Sequence, residues 1–493
     1  MWSLPGIRRS LDTPGLRTLV VGAGEAGRTL ARAFRRSPSF GLAPIGFLDD
    51  AAGLLRAAGL PVYHPIAALP EVARELRADA CVVAIPSLPA PQLAAIVEAG
   101  QAAGLHVRYL PSFLAAVERD ARLSDLRRLR MDSLLGRSEV HVVSQRAAAM
   151  ISGRRVLVTG AGGSIGSELC RQIHGFGPAA LYLLDHDESN LHRLQLEITG
   201  NGLLNGDEII IADIRDQRRI DQVFETTRPE LVFHAAAHKH LPLLERHPCE
   251  AVKSNVLGTQ NLVEAATRHG TSRFVLISTD KAADPTSVLG VTKRLAELVA
   301  QRAAGTGAAL ASVRFGNVLG SRGSFLSVLA DQIAHDEPVT VTHPEVSRFF
   351  MTVEEAVGLV LETAAMAEYA ETFVLDMGEP VPIVSLVHNY ATQLHVANVE
   401  IRYTGLRPGE KLAEKVFSDS EERVPTVHPK IWATRCTKPS VDFGPLLDQL
   451  YAAAGDGDSA YVKKLLRRLV PEYQPSDRLE TPVSVGAPYP DDF

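Results

Sequence analysis

The chain has 493 residues, which is too long for one ordinary domain, so we expect two or three. Its composition, 46% hydrophobic and 22% charged, is typical of a globular protein with large cores, and a net charge of −6 excludes the strongly basic field of a nucleic-acid-binding protein. Its four cysteines lie far apart, which argues against a disulfide framework or a metal site and predicts a reducing, cytoplasmic compartment. No apolar run has membrane-spanning length and no signal-peptide core is present, although the first eleven residues leave peripheral contact with a membrane open.

The first predicted domain covers residues 15–112, after a tail of residues 1–14. A short apolar strand runs into Gly-Ala-Gly-Glu-Ala-Gly at residues 22–27, a helix follows, and the next strand ends on Asp49 and Asp50. Such glycines let the backbone approach a phosphate at a helix N-terminus, and the acid suits a ribose. The later strands complete a Rossmann-like domain. Because this motif alone is a weak signal, a vestigial or regulatory nucleotide fold is as consistent with it as an occupied one.

A second predicted domain covers residues 151–420, after a connecting segment at 113–150 that either contains a helix or is a solvated linker. Its first strand leads into a Gly-x-x-Gly-x-x-Gly loop at residues 160–166, the spacing used by short-chain dehydrogenase/reductases, and the next strand ends on Asp185. An acid at that position favours NAD over NADP, because it suits ribose hydroxyls and disfavours a 2′-phosphate. We therefore predict bound NAD with contacts from Gly160, Gly163, Ser164, Ile165, Gly166, Asp185, Asp213, Ile214, Ala235 and Ala236.

The chemistry is expected where the strand at residues 274–277 ends in Ser-Thr-Asp-Lys. A helix carrying Lys293 follows, and in an α/β sheet this order places polar side chains at the carboxyl edge, where such folds bind ligands. Asp280 and Lys281 would face opposite ways within a strand, so they can serve one substrate only if the strand has already ended. An exposed Asp-Lys turn beside a helix is the alternative.

Taken together, six segments resemble one family, the large nucleotide-diphosphate-sugar 4,6-dehydratases of bacterial polysaccharide and glycan biosynthesis (the CapD-like group of the extended short-chain dehydrogenases). The segments are residues 159–166, 235–240, 278–281, 314–321, 348–352 and 405–411. The resemblance spans residues of about 15–420. The predicted fold is α/β, with two Rossmann-like doubly wound parallel-sheet domains in tandem, the second with a smaller C-terminal substrate-binding part. Larger members usually begin with membrane helices, and we expect none in this chain.

The resemblance implies a reaction and its residues. Oxidation at C4 of a hexose acidifies the C5 hydrogen, a base removes it, an acid protonates the C6 hydroxyl, and water leaves while NAD is regenerated. By resemblance, Asp280 is the acid, Lys281 is the base, Thr279 bonds the C4 oxygen, and Lys293 holds the nicotinamide ribose. The superfamily normally has Tyr, and this group Met, at the position of Leu289, which cannot take a proton. An ordinary lysine has a pKa of about 10.4, so we expect desolvation and nearby positive charge to lower the pKa of Lys281 by roughly 3.

Substrate contacts are expected mainly beyond the catalytic turn. Arginine forks match phosphate oxygens, so arginines after residue 317 are candidates for the diphosphate and the nucleoside, although a single arginine is more often a surface residue. The candidates are Lys239, Asn317, Arg322, Arg348 and Arg407.

Three functions stay open from the sequence. The first is a 4,6-dehydratase acting on a UDP-sugar, with UDP-N-acetylglucosamine as the first choice. The second is a nucleotide-sugar C4 epimerase, for which the Asp-Lys pair is less suited because an epimerase has no leaving group to protonate. The third is a non-catalytic nucleotide-sensing partner of a membrane enzyme. We expect a homo-oligomer with no nucleic-acid partner, and a C-terminal segment, residues 421–493, of helices and a Pro-rich tail.

Overall fold

The protein divides into two compact units, Met1–Arg130 and Met131–Phe493. Its structure, a computed structural model, describes residues 16–475 with gaps at 37–41, 52, 86–95, 97–98, 101, 110–142, 201–205, 304, 306, 322–324, 336, 394–395, 397 and 435–440. Each unit is organised by its own sheet of mostly parallel strands, which confirms the predicted α/β class with two Rossmann-like domains in tandem. The boundary between the units falls within the predicted connecting segment, most of which lies outside the described residues.

The first unit is built on a six-stranded sheet. Its strands are β1 Leu16–Val21, β2 Leu42–Leu48, β3 Arg56–Ala57, β4 Leu60–Tyr63, β5 Ala80–Val83 and β6 His106–Tyr109, and its helices are α1 Glu25–Arg36 and α2 Leu69–Glu75. The strand order is β3-β4-β2-β1-β5-β6, and every neighbouring pair is parallel except the β3–β4 hairpin. The central strand β1 is buried on both faces over its last four residues, Thr18–Val21, as is typical of a parallel sheet.

The glycine loop of this unit has the conformation that its sequence predicts. Gly22 has a φ of +99°, and a Cβ added at Gly27 would stand 1.9 Å from the Gly22 carbonyl oxygen, so both positions require glycine. The Ala23 N–H donates to Asp49 Oδ2 at 2.6 Å, which ties the loop to the acid that follows β2. A nucleotide bound to this unit stays a prediction.

The second unit is organised by a nine-stranded sheet. The strands of the unit are β7 Arg155–Thr159, β8 Ala180–Asp185, β9 Ile209–Ile211, β10 Leu231–His234, β11 Arg273–Ile277, β12 Ala309–Arg314, β13 Asn317–Leu319, β14 Val339–Val341, β15 Ser347–Arg348, β16 Phe350–Thr352, β17 Glu371–Leu375, β18 Val381–Pro382, β19 Ile401–Tyr403, β20 Arg423–Pro425 and β21 Ile431–Thr434. The large sheet has the order β9-β8-β7-β10-β11-β12-β17-β21-β20, parallel up to β17 and antiparallel beyond it. From β7 the chain steps outward to β9, and from β10 it steps outward in the other direction. The crevice between β7 and β10 is therefore a topological switch point, where open α/β sheets bind ligands.

Helices cover both faces of this sheet. They are α3 Gln145–Ile151, α4 Ser164–Gly175, α5 Glu188–Thr199, α6 Gln217–Thr227, α7 Leu241–Arg246, α8 Pro248–Ala251, α9 Gly258–Arg268, α10 Val288–Arg302, α11 Phe325–Ala334, α12 Val353–Met366, α13 Ile383–Gln393, α14 Phe443–Gly455 and α15 Ser459–Leu469. One apolar cluster packs α4 and α12 against the sheet, and a second packs α6 and α9 against it. Side chains of Asp187, Asp216, Ser287 and Thr352 accept N–H groups at the starts of α5, α6, α10 and α12. Within the described residues, no helix combines the length and the apolar character needed to cross a bilayer.

The sheet of the second unit continues past residue 420, where the predicted catalytic domain ends. Strands β20 and β21 extend it from β17, and α14 and α15 pack with α10 around Leu295, Leu447 and Leu466. Smaller strand pairs, β13–β16, β14–β19 and β15–β18, form beside the sheet. The predicted pair of C-terminal helices is present as α14 and α15, and most of the predicted Pro-rich tail, from residue 476, lies outside the described residues.

Candidate active site

A cleft of about 400 Å³ lies at the carboxyl edge of the sheet, at the switch point between β7 and β10. Among its lining residues are most of the predicted NAD contacts: Gly160, Gly163, Ser164, Asp185, Asp213, Ile214, Ala235 and Ala236. The predicted substrate residue Lys239 lines the same cleft and is exposed. Two predicted contacts have other surroundings, because Ile165 packs against the core and Gly166 faces the loop backbone.

The shape of the cleft depends on close backbone contacts that only glycine allows. Gly160 has a φ of +69°, and a Cβ there would stand 2.5 Å from the Ala236 nitrogen. A Cβ at Gly166 would stand 2.0 Å from the Gly160 carbonyl oxygen. Gly163 is the N-cap of α4, in extended backbone, and no side chain caps this helix end. A helix N-terminus exposed at a glycine loop is suited to a phosphate.

Acidic groups lie where the sequence predicts a ribose. Asp185 Oδ2 accepts the Gly162 N–H at 2.9 Å, and its Oδ1 accepts the Asp187 N–H at 3.0 Å, so the carboxylate is fixed at the end of β8. Arg215 also lines the cleft, but its guanidinium is bound to Asp213 at 2.6 Å and to Glu250 at 3.0 Å. The hydrogen bond from Arg215 lowers the pKa of Asp213. These side chains fit a dinucleotide without a 2′-phosphate, because Arg215, the arginine that lines the cleft, is already paired with two carboxylates.

The catalytic turn begins directly after β11. Asp280 starts a single 3₁₀ turn, Asp280–Ala282, which Thr279 caps, so the strand has ended before the Asp-Lys pair, as the prediction requires. Lys281 Nζ donates to Asp280 Oδ1 at 3.0 Å, and the two side chains are 17% and 0% exposed. The alternative of an exposed Asp-Lys turn is therefore excluded.

The two oxygens of Asp280 have different surroundings. Oδ1 accepts from both Thr279 Oγ1, at 2.9 Å, and Lys281 Nζ. Oδ2 is buried and has no hydrogen-bond partner within the described part of the chain. It lies so close to Gly316 that a Cβ there would stand 3.0 Å away. Asn317, predicted as a substrate residue, instead accepts from Lys281 Nζ at 3.4 Å.

A third charged side chain, Glu414, belongs to this cluster and was not predicted. Its Oε1 is 4.0 Å from Lys281 Nζ, and its side chain is 3% exposed. Its Oε2 is buried with no hydrogen-bond partner among the described residues, and the nearest cation, Lys411 Nζ, is 3.9 Å away. The sequence signal is weak, because an acid just after the 405–411 segment looks like any polar loop residue.

The electrostatics of the cluster correct one expectation. Burial lowers the pKa of Lys281, as expected, but the charges of Asp280 and Glu414 outweigh it, and the net pKa is raised above its usual value. Burial also raises the pKa of Glu414, with Lys281 opposing and Asp280 adding to the rise. The prediction that the surroundings lower the pKa of Lys281 is thus wrong for this state of the site, because two buried carboxylates face one ammonium.

The helix after the turn places Leu289 and Lys293 in the interior. Leu289 packs with Leu244, Ala251 and Val288, so no proton acceptor stands at the usual Tyr position. Lys293 is buried, and burial lowers its pKa to about 8, although Glu297 opposes the shift. Its contact with a nicotinamide ribose stays a prediction.

The predicted phosphate-binding arginines are held by one carboxylate. Arg348 is buried and its Nη2 is 3.0 Å from Glu410 Oε1, while Arg407 is half exposed and its Nε is 3.0 Å from Glu410 Oε2. Arg322 lies outside the described residues. Substrate binding by these arginines stays a prediction, and in this state Glu410 competes for both.

A network of buried charged side chains lies beside the Asp280–Ala282 turn. It was not predicted from the sequence. Glu297 accepts from Ser278 Oγ at 2.7 Å and from Arg314 at 2.7 Å, and Arg314 also binds Glu421 at 2.7 Å. Although burial opposes it, the charge of Arg314 lowers the pKa of Glu297 to about 2. The network joins β11, α10, β12 and the loop before β20, so it fixes the end of β11, where the catalytic turn starts.

The chain also matches known proteins. Residues 156–436, more than half of the chain, match the family model described as "Polysaccharide biosynthesis protein". The chain belongs to this family. The "Probable polysaccharide biosynthesis protein EpsC" of Bacillus subtilis (strain 168) is 39% identical to this chain over 424 residues, which cover 84% of this chain and 70% of that protein. The predicted resemblance to the CapD-like group is thereby confirmed.

Among the relatives of this chain, some are named as dehydratases and others as epimerases. A "UDP-N-acetylglucosamine 4,6-dehydratase (inverting)" of Campylobacter jejuni is 30% identical over 281 residues, covering 56% of this chain and 80% of that protein. A "UDP-glucose 4-epimerase" of Rickettsia rickettsii is also 30% identical over 281 residues, with 55% and 80% covered. Among solved structures, Pen from Bacillus thuringiensis is 31% identical with a TM-score of 0.53, covering 59% of this chain and 90% of that one.

Proposed function

We propose that the chain is an NAD-dependent nucleotide-sugar 4,6-dehydratase that converts a UDP-sugar, with UDP-N-acetylglucosamine as the first choice, into its 4-keto-6-deoxy product for polysaccharide biosynthesis. The observation that carries this proposal is the Asp280–Lys281 ion pair, 0% and 17% exposed, which would supply an acid and a base at the carboxyl edge of the sheet that carries the cleft. Family membership and the dehydratase among the relatives support it.

The cleft residues Gly160, Gly163 and Asp185 would hold NAD, the two glycines facing its phosphates and the acid its adenosine ribose. When bound, NAD would supply the hydride chemistry, acceptance from sugar C4 and return to C6, so that no external redox partner would be consumed. The protein must manage the protons of the reaction itself.

The proton of the C4 hydroxyl has a route through Thr279. Leu289 cannot accept it, whereas Thr279 Oγ1 is both a donor and an acceptor and already donates to Asp280 Oδ1 at 2.9 Å. A C4 hydroxyl that donates to Thr279 can therefore pass its proton on to Asp280. The O–H bond of the sugar breaks, an O–H bond of a neutral Asp280 forms, and the carboxyl group becomes an acid.

The elimination then uses both members of the pair. Lys281, as a neutral amine, removes the C5 proton that the C4 carbonyl has acidified, and Asp280 gives its proton to the departing C6 hydroxyl, which leaves as water. Lys281 finally returns its proton to C5. The proton from the C4 hydroxyl thus leaves in the water, and Asp280 returns to its ionised form.

The mass of the product tests the proposal. Wild-type protein incubated with NAD and UDP-N-acetylglucosamine is expected to release a product that has lost one water. A sugar product of unchanged mass would indicate a C4 epimerase, and no product from any UDP-sugar would indicate a nucleotide-sensing protein. Lys281→Met is the matched control, because it removes the base from the turn and leaves the cleft residues in place.

A further inference from the structure

The state of Lys281 in this structure poses a problem for its role as a base. Its ammonium lies 3.0 Å from Asp280 Oδ1 and 4.0 Å from Glu414 Oε1, in a nearly closed site. With both carboxylates ionised, the lysine keeps its proton and cannot accept another. A proton acceptor must therefore exist for Lys281 itself.

We propose that Glu414 is this acceptor, so that the transfer of the C4 proton to Asp280 drives the proton of Lys281 onto Glu414 and converts the lysine into the base. This inference rests on the proposed function and adds a residue to it. In the step, an N–H bond of the Lys281 ammonium breaks and an O–H bond forms at Glu414 Oε1. A charged pair becomes a neutral amine and a neutral acid, and no other reactant is needed.

The geometry supports Glu414 as the acceptor because its carboxylate is buried and can accept further hydrogen bonds. Its Oε2 has no hydrogen-bond partner within the described residues, and Oε1 faces Lys281. The remaining 4.0 Å exceeds a hydrogen bond by about 1 Å, a distance that rotation of the long lysine side chain can close. Burial raises the pKa of Glu414, which strengthens its affinity for a proton.

The other charged groups that face Glu414 are engaged elsewhere. Arg348 is paired with Glu410 at 3.0 Å, and Lys411 Nζ donates to the carbonyl oxygen of Asp284 while it stays 3.9 Å from Glu414. Near Glu414, the charge that changes when the C4 hydroxyl is oxidised is therefore that of Asp280, which receives the C4 proton. Its neutralisation removes the partner closest to Lys281, and in a low-dielectric site the neutral pair then becomes competitive with the ion pair.

Glu414 acts through Lys281, so it is a positioning residue rather than a group in contact with the sugar. Asp280→Asn imitates the neutral Asp280 without any substrate. Infrared difference spectra of the NAD-bound protein at pH 7 should show one additional protonated carboxyl group in Asp280→Asn relative to wild type. The additional band should be lost in the double variant Asp280→Asn with Glu414→Gln. Absence of the band in Asp280→Asn, or its survival in the double variant, would overturn the proposal.

A second experiment measures exchange kinetics in the single variant Glu414→Gln, which preserves the side-chain volume. Exchange of the C5 hydrogen with solvent deuterium at pH 7 should fall by about a hundredfold or more. The deficit should shrink as pH rises, because hydroxide can then deprotonate Lys281, and Glu414→Asp should restore part of the exchange. A deficit that is equal at every pH would overturn the proposal by indicating a merely structural role. A wild-type product that retains its water would contradict the dehydratase function instead, and the infrared result would be unaffected by it.

Discussion

At the scale of single residues, the reaction depends on how one turn distributes protons. Lys281 lies between Asp280 and Glu414, and the same two carboxylates that hold it in place also keep it protonated. In the proposed reaction, Lys281 therefore becomes a base only after Asp280 has been neutralised. This coupling explains how a lysine with a raised pKa can still remove a proton from carbon.

Lys281→Met should abolish exchange of the C5 hydrogen with solvent deuterium while NAD stays bound, because the base is lost and the cleft is unchanged. NMR of recovered UDP-sugar measures the exchange, and absorbance of the released cofactor measures retention. Exchange at the wild-type rate in this variant would mean that another group is the base.

Leu289→Met should leave turnover close to wild type, because the residue packs with Leu244, Ala251 and Val288 and takes no part in proton transfer. A swap of similar volume should change the free energy of unfolding by less than about 1.5 kcal/mol. Turnover and thermal unfolding are measured together. A large loss of turnover in a variant of normal stability would show that position 289 takes part in the chemistry.

At the scale of elements, we expect the loop between β7 and α4 to decide whether NAD binds. Gly163 is the position of choice for a test, since its backbone is extended and a Cβ there would stand 3.1 Å from the Gly160 carbonyl oxygen, a contact that a small shift relieves, whereas Gly160 needs its positive φ. Gly163→Leu should abolish NAD retention because the side chain enters the phosphate end of the cleft.

The matched control for this prediction lies in the other glycine loop. A Cβ at Gly24 meets no atom within 4 Å, so Gly24→Leu should fold and keep its NAD. Cofactor released from each purified variant is measured against protein concentration. Full NAD occupancy in Gly163→Leu, or its loss in Gly24→Leu, would contradict the assignment of the catalytic cofactor to the second unit.

The ion network under the catalytic turn links the ends of several elements. Glu297→Gln should lower the free energy of unfolding by about 3 to 5 kcal/mol, because it leaves the buried Arg314 with one partner fewer. The pKa of Glu297 in the folded protein, about 2, lies below its usual value, so its contribution to stability is present above that usual value and is lost as pH falls toward 2.

Denaturant unfolding from pH 7 down to pH 3 checks this prediction. Wild type should lose stability across that range more steeply than Glu297→Gln, which has no carboxyl group to titrate at that position. Parallel pH profiles of the two proteins would contradict the role of the network.

At the scale of the whole molecule, the sequence predicts what depends on short, regular spacing. In the second unit, the Gly160 loop, Asp185 and the Asp280–Lys281 turn each lie within a few residues of a strand end, at the carboxyl edge of the sheet that the sequence predicts. It does not predict what depends on distant pairing. Glu414 meets Lys281, and Glu421 meets Arg314, across more than a hundred residues, and no local pattern marks either acid. The direction of the Lys281 pKa was missed for two reasons: the ion pair with its neighbour Asp280 opposes burial, and the distant Glu414 adds a second negative charge, so that together they outweigh it.

The most direct test of the dehydratase assignment follows one hydrogen. Wild-type protein with NAD is given UDP-N-acetylglucosamine that carries deuterium at C4, and the product is analysed by NMR and mass spectrometry. The product should have lost one water and carry the deuterium at C6, because the hydrogen removed at C4 returns two carbons away. A product of unchanged composition with the deuterium still at C4 would contradict the dehydratase assignment.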